Sequence, residues 1–489
     1  MSSKLLAQLA GRVFRREPTS FPDLLRFARK NRRFRVALSS LTPRWRIGRI
    51  GRIEDAIVEN LNRVVAQQDY HLLALMLEAL RPFLDPGQSP EAIEFWNALA
   101  ADCQVISQHR MQQGELKSLW GVTPIVNLSA GVAADRLLGL TSCSVVFTTY
   151  HTSSNFDYTF AKLQERVITE RGEDLFLFRW LFLIWALINF DIFHLYNDRG
   201  LIEPAGGYGS PSFGIAIQEM DLYRRAGKRL YTYAYGADHR TREKTLALGN
   251  WTFCSECPEI GAFCVCDDVG GAAMLKAIGE RATAVVAHGL AMKLIPGAIN
   301  IPYLAVDSRK LSPRQSSNRR ADKFIVGHFP NHGYFKGTKY LEQAIGGLKA
   351  EGYEVELLLL SGKPQEDILR AMREIDVLVD QLVSGSFGLT SVEAMAIGCP
   401  VICYLHDEVA VADRESCPII EANPNTIKDV LRNLISDRAR LAAATEAGPR
   451  YVERNYSIEA LSGHLAKLYI ATAELPKILE AKIGPRAKS

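Results

Sequence analysis

Residues 376–401 read DVLVDQLVSGSFGLTSVEAMAIGCPV, and no other stretch constrains the fold as much. The apolar run Val377, Leu378, Val379 stops at Asp380 and Gln381. A Gly/Ser turn follows, carrying Ser384, Gly385, Ser386 and Gly388. A helical segment opens at Thr390 with Glu393 in its first turn, and a second apolar run begins after Gly398 and Pro400. Strand, glycine turn, helix and strand make a parallel α/β unit. Such a unit aims free backbone N–H groups and the positive end of a helix dipole at the carboxyl edge of its sheet, where anionic phosphates bind.

The same alternation recurs on both sides. Thr123–Asn127, Ser144–Thr148, Asp191–Tyr196, Lys228–Tyr235 and Thr283–Ala287 read as strands, with a helix over Gly214–Ala226. A polar run, SRKLSPRQSSNRRAD at 308–322, interrupts the series. Strand-like runs resume at Phe324–Gly327, Val355–Leu360, Val377–Asp380 and Val401–Tyr404. Residues 1–115 and 423–474 read as helical. A chain of 489 residues exceeds what one hydrophobic core supports. The expected fold class is therefore α/β, with two Rossmann-like lobes and a basic, helical N-terminal extension. The expected divisions are a basic arm and helical extension at 1–115, an N-terminal lobe at 116–307 and a linker at 308–322. The C-terminal lobe, with terminal helices, takes 323–489.

The net charge of +4 conceals an asymmetry. Residues 1–52 hold 14 Lys/Arg against Glu17 and Asp23, while the remainder is net acidic. Leu5, Leu6, Leu9, Val13 and Phe14 fall on one helical face among Lys4, Arg12, Arg15 and Arg16, which suggests contact with an anionic membrane surface. A solvated tail is the plainer alternative. Leu175–Phe190 (LFLFRWLFLIWALINF) is shorter than the roughly 20 residues a membrane span needs and contains Arg179. It reads as a buried or interfacial helix, docking with the arm at the membrane face. The first 30 residues lack the apolar core of a signal peptide. Nine cysteines, an odd number, argue for a reducing, cytoplasmic setting. Four of them, Cys254, Cys257, Cys264 and Cys266, follow a C-x2-C-x6-C-x-C spacing that suits a structural zinc, with local disulfides or free thiols as alternatives.

The segment GSFGLTSVEAMAIGCPVI resembles the donor-site motif of family 4 (group 1) glycosyltransferases of the two-lobed GT-B architecture, written E-G-F-G-x-x-x-x-E-A-M-A-x-G-x-P-V. Phe335-Lys336-Gly337-Thr338 resembles the Lys-Gly step of the same family. The resemblance covers roughly 323–470, and the N-terminal lobe matches only in outline. It implies that Glu393 accepts hydrogen bonds from the ribose of a UDP- or GDP-sugar, and that Lys336, beside Gly337, neutralises the diphosphate. The Ser386, Phe387, Gly388 and Leu389 loop would hold phosphate and sugar. Outside the family pattern, His332 is a candidate phosphate contact, and Asp380 and Gln381 at a strand's carboxyl end are candidate donor-site residues, with a simple strand terminator as the alternative for Asp380. An anion-directed lysine and helix N-terminus would stabilise the leaving group as it gains charge.

Two departures stand out. The first glutamate of the motif is Gly385, and the arginine expected before the Lys-Gly step is absent. Thr390-Ser391-Val392-Glu393 also fits a capping box, in which the glutamate would only satisfy a backbone N–H. The acceptor is expected on the N-terminal lobe, where Ser129, Gly131, His151, Asn155, Asn197 and Asp198 are candidates. Asp238 and His239, just past Gly236, are the expected catalytic pair. The family chemistry is mostly retaining and needs no protein nucleophile. No Asp-x-Asp triplet is present, so a metal-free reaction is expected. The expected product is a glycan or lipid-linked glycoconjugate, as in surface polysaccharide synthesis. A non-catalytic nucleotide-binding or scaffold protein of the same fold is the main alternative. A nucleic-acid-binding protein, suggested by the basic arm, lacks any reading motif.

Overall fold

The computed structural model describes residues 53–85, 89–150, 155–202, 214–236, 240–261, 264, 266–311, 313–314, 323–407 and 409–487. The basic arm at 1–52 lies outside them.

Two compact units emerge from the contact pattern, and the first is helical. It comprises residues 53–109, 160–191 and 221–228. Trp96 donates to the Phe83 carbonyl (2.9 Å) and meets Trp180 edge-on at 5.1 Å. Trp185 donates to Asn62 (2.9 Å). The helix Leu175–Asn189 is buried from Leu177 to Leu187, Arg179 included. Among the described residues no helix is long and apolar enough to cross a membrane. Of the two expected readings for 175–190, buried or interfacial, the buried one forms: residues Leu177 to Leu187 lie in the core of this unit. Lys228, inside the same unit, donates to Ser107 (2.6 Å), whose hydroxyl donates to Asp191 (2.7 Å).

The second unit holds both sheets. The N-terminal lobe is built on β1 (Lys117–Val122), β2 (Thr141–Val146), β3 (Tyr158–Thr159), β4 (Ile192–Tyr196), β5 (Arg229–Tyr233), β6 (Ala284–Ala287) and β7 (Ile299–Asn300). All its ladders are parallel, in the order β3-β2-β1-β4-β5-β6-β7. The expected strand at Thr123–Asn127 is displaced. The strand is the preceding KSLWGV, and Asn127 begins a helix to Leu137. Pro124, lacking an N–H, cannot extend a central ladder.

The C-terminal lobe carries β8 (Phe324–His328), β9 (Val355–Leu359), β10 (Val377–Val379), β11 (Val401–Cys403) and β12 (Ile420–Glu421), again all parallel, in the order β12-β11-β10-β8-β9. Apolar layers cover both of its faces, as a parallel sheet requires. The described ends of 308–322 run along this lobe, where the Arg314 N–H donates to the Ile397 carbonyl (2.8 Å).

The terminal helices do not stay with the lobe that precedes them in sequence. Ile458–Thr472 and Lys477–Ala487 bury Leu461, Leu465, Tyr469, Leu479 and Ile483 in the N-terminal core, against Leu128, Val132 and Leu138. A buried polar knot fastens them. Asp135 accepts from Ser118 (2.6 Å), Trp120 (2.8 Å) and Tyr469 (2.6 Å). With that proton committed, the His194 Nε2–H donates to Tyr469 (2.8 Å), and His194 Nδ1 accepts from Tyr233 (2.8 Å). The imidazole is stacked on Trp120 at 3.9 Å and held neutral by burial.

Candidate active site

In each sheet the strand order reverses at one point: between β1 and β4, and between β8 and β10. Side chains just past the carboxyl ends of these strands meet in a crevice there, the usual ligand position in open parallel sheets.

At the C-terminal switch point β8 ends in His328 and β10 is followed by Asp380. His328 Nδ1–H donates to the Val379 carbonyl (2.7 Å), which leaves Nε2 to accept from Thr338 (2.8 Å). Asp380 is 2% exposed. Its carboxylate pairs with Lys336 and accepts from Ser391 (2.6 Å). Burial alone would raise this carboxyl, but the Lys336 charge and the two hydrogen bonds hold it below the usual range. The Lys-Gly step has a local cause. Gly337 sits at φ +79° between the helices Gly333–Lys336 and Thr338–Ala350, and a Cβ there would meet Leu382 at 3.0 Å.

The glycine turn leads into the helix Leu389–Ile397, whose N-cap is Gly388 with no side-chain cap. Among the described residues no acceptor takes the N–H groups of Leu389 and Thr390. The capping-box alternative is not what forms, because Glu393 lies a full turn inside the helix and its carboxylate accepts from Gln365. Glu393 is 6% exposed, and burial first, with Asp380 adding to it, raises its carboxyl to about 7 against the lowering effect of Gln365. Gly388 brings the backbone close to Gln381: an added Cβ would lie 3.2 Å from its amide nitrogen. The departure at Gly385 is written into the backbone, since its φ is +73° and a side chain would meet His406 Cβ at 3.2 Å.

A cleft of about 630 Å³ opens in front of this surface. From the C-terminal lobe it is lined by His332, Phe335, Lys336, Ser361, Lys363, Gln365, Gln381, Ser386, Phe387, Gly388, Leu389 and Glu393, and from the N-terminal lobe by Thr123, Asn127, Asp198, Arg199, Tyr235, Arg240, Phe253 and His288. The N-terminal switch point contributes Thr123, which donates to Asp198 (2.6 Å). Burial raises the Asp198 carboxyl despite the Arg199 charge and this hydrogen bond. His288 is held between Asn300 (3.1 Å) and Tyr456 (2.9 Å), with burial lowering it to about 4.

Of the expected donor residues, Lys336, His332, Gln381, Ser386, Phe387, Gly388, Leu389 and Glu393 line one cleft, while Gly337 and Asp380 sit behind it and shape it. Asp238, His239 and His151 lie outside the described residues. Gly131 faces inward, where a Cβ would collide with the Trp120 ring at 2.6 Å, so it is a packing glycine. Gln365, Asn127 and Arg240 are cleft residues that sequence reasoning passed over. A glutamine after Ser-Gly-Lys-Pro and an arginine after Asp-His carry no motif.

The cysteine expectation is corrected. Among the described residues no group of three or more metal-ligating side chains is placed to hold an ion. The four cysteines are free. Cys257 Sγ is tied to the Glu259 carbonyl (3.2 Å), and Cys264 and Cys266 sulfurs lie 3.4 Å apart, well beyond a disulfide of about 2.05 Å. Burial pushes the Cys264 thiol up to about 12.

Two parallel-sheet lobes lining one cleft make a two-lobed GT-B fold. Residues 308–451, the linker and most of the carboxyl-terminal lobe, match the family described as glycosyl transferases group 1. D-inositol 3-phosphate glycosyltransferase of Corynebacterium urealyticum is 30% identical over 121 residues, which cover 24% of this chain. The same stretch covers 28% of that relative, so the likeness is confined to little more than a quarter of its length. Similar solved structures include Anabaena HepE in complex with UDP and glucose (12% identity, 73% of this chain and 100% of that chain, TM-score 0.46). Sucrose-phosphate synthase from Thermosynechococcus elongatus is another (14% identity, 73% and 98%, TM-score 0.48).

Proposed function

We propose that this chain moves a sugar from a nucleotide-sugar, UDP- or GDP-linked, onto a glycan or lipid-linked acceptor, in surface polysaccharide or glycoconjugate synthesis. The observation that carries the reading is Glu393, buried yet lining the cleft, one turn inside a helix whose leading N–H groups are uncapped and beside the Lys336 wall. The carboxylate takes the ribose hydroxyls. The helix N-terminus and Lys336 take the diphosphate, whose charge grows as the glycosyl bond breaks. The acceptor hydroxyl enters from the Asp198 and Asn127 side of the cleft. Retention follows if the departing phosphate oxygen takes the acceptor proton on the same face, with no protein nucleophile and no metal in the step. The curated relative is itself named a glycosyltransferase, which supports the reaction class.

The test is release of nucleoside diphosphate from a panel of UDP- and GDP-sugars with a mixed glycan and lipid-linked acceptor pool. Glu393→Ala is expected to cut release at least about tenfold, the scale of a lost charge-assisted contact. Equal release by Glu393→Ala and wild type would refute the assignment.

One observation favours a second reading. With Gly385 held at φ +73°, the turn does not accommodate the family's first glutamate, which fits a non-catalytic nucleotide binder. Saturable nucleotide-sugar binding with no turnover on any acceptor would select it. We further place the protein in the cytoplasm against an anionic membrane face, on the basic composition of residues 1–52. Sedimentation with phosphatidylglycerol vesicles, lost on deleting 1–52 and absent with phosphatidylcholine vesicles, is the expected result.

A further inference from the structure

The N-terminal half of the cleft holds polar groups that the fold itself does not use. The helix Asn127–Leu137 starts beside the switch point between β1 and β4, with Val126 as its N-cap and no side-chain cap. Among the described residues no acceptor takes the N–H groups of Val126 and Asn127. Asn127 is only 4% exposed, yet it lines the cleft. Its amide nitrogen is buried without a hydrogen-bond partner among the described residues. Asn197, the first residue after β4, is buried as well, and neither end of its amide has a partner there. A buried amide left unpaired destabilises a fold, so two of them at one sheet edge call for a ligand as the explanation.

Asp198 supplies the complementary chemistry. It accepts from Thr123 (2.6 Å), on the same loop that leads to Asn127, and from Arg199 (3.0 Å). A carboxylate with two such bonds still has lone pairs to offer. Thr123, Asn127 and Asp198 line the same cleft. A group that fits must take a hydrogen bond from a carboxamide and give one to a carboxylate. An uncharged hydroxyl does both. The positive helix end would attract an anion, but an ionised phosphate or carboxylate has no proton to give Asp198.

We propose that Asn127 is a specificity-determining residue for the acceptor: with Asp198 it reads hydroxyls of an uncharged sugar, and so selects a neutral glycan end over a phosphorylated or acidic one. The proposal rests on the sugar-transfer reading of the same cleft.

The experiment measures transfer by the full chain, from the nucleotide-sugar it binds, to two matched acceptor sets. One holds the octyl glycosides of glucose, galactose and mannose, and the other their 6-phosphates and uronic acids. Wild type is expected to use the neutral set and to turn over the anionic set at less than about a tenth of that rate. Asn127→Asp keeps the shape, replaces the amide donor by an acceptor and suits a helix start. Its acceptor KM should rise at least about tenfold, while calorimetric affinity for UDP or GDP changes by less than about twofold. Asn127→Leu removes the unpaired amide; it should melt no lower than wild type and still lose acceptor use, a combination that a structural role does not give. It decides the test if Asn127→Asp does not fold. Unchanged acceptor KM in Asn127→Asp or, where that variant does not fold, in Asn127→Leu overturns the proposal. Turnover of the anionic set by wild type at an equal or higher rate also overturns it. So does a matching loss of UDP or GDP affinity, which would put Asn127 in the donor half. In each of these cases nucleotide binding by wild type leaves the sugar-transfer reading standing. Wild type that binds a nucleotide-sugar and turns over neither set overturns the proposal and selects the non-catalytic reading. Wild type that binds no nucleotide-sugar overturns both.

Discussion

The carboxyl of Glu393 offers a sharp prediction, because its environment places its titration inside the working pH range. Burial raises it to about 7. To accept from ribose hydroxyls it must be ionised. A group with a value near 7 is ionised in about one molecule in eleven at pH 6 and about ten in eleven at pH 8. Nucleotide-sugar affinity should therefore rise about tenfold between pH 6 and pH 8 and level off above that. UDP-glucose or a GDP-sugar, titrated calorimetrically, is the suitable probe, since its phosphates are diesters that do not titrate here. Glu393→Gln should bind more weakly and lose the slope. Gln365→Leu removes the hydrogen bond that lowers Glu393, so its midpoint should move above that of the wild type. Affinity that stays flat from pH 6 to 8 would refute the reasoning. Affinity that falls as pH rises would refute it equally.

Three further outcomes follow from the same geometry. Lys336→Met leaves the buried Asp380 without its partner and should destabilise the protein by about 3 kcal/mol in chemical denaturation, with more than half recovered by adding Asp380→Asn. Gly385→Glu restores the family pattern on paper but forces a side chain into a left-handed backbone; it should cost about 1–2 kcal/mol and leave nucleotide-sugar affinity no better. Asp135 is raised by burial to about 6 from 3.8, so the folded state favours its protonated form. The stability from this group is complete below pH 4 and lost as pH rises through 6, about 3 kcal/mol in all, and thermal melts of Asp135→Asn should lack that decline.

The legible parts of this chain were those where backbone chemistry and hydrophobic pattern agree. Val377–Val379, the glycine turn and the helix before Gly398 appear as read, because the turn needs Gly385 and Gly398 at positive φ and the flanking strands are apolar throughout. Strand β1 was missed because KSLWGV mixes a lysine, a serine and a glycine. Ser118 is buried only because Asp135, 17 residues on, receives its hydroxyl, and local pattern carries no such information. The helical unit draws on three separate stretches of chain, and the last two helices return to the N-terminal lobe. Long-range packing decides both, and periodicity reports only that a face is apolar. Leu175–Asn189 looks like a membrane segment for the same reason: burial on all sides by protein or by lipid selects the same residues. The cysteine spacing misled because proximity in sequence does not make four sulfurs converge. In the cleft, Glu393 and Lys336 came from a motif, whereas Gln365 and Arg240 are there by fold alone.

The account stands or falls on nucleotide-sugar recognition at Glu393. Thermal melting of wild type and Glu393→Ala with saturating UDP- and GDP-sugars measures it directly, because a ligand that binds only the folded protein raises the melting temperature. At about 100 times the wild-type dissociation constant, the wild type should gain about 2.7 kcal/mol and melt several degrees higher, while Glu393→Ala, binding at least about tenfold more weakly, should gain no more than about 1.4 kcal/mol. No shift of the wild type with any nucleotide-sugar, or an equal shift of the variant, would contradict the account.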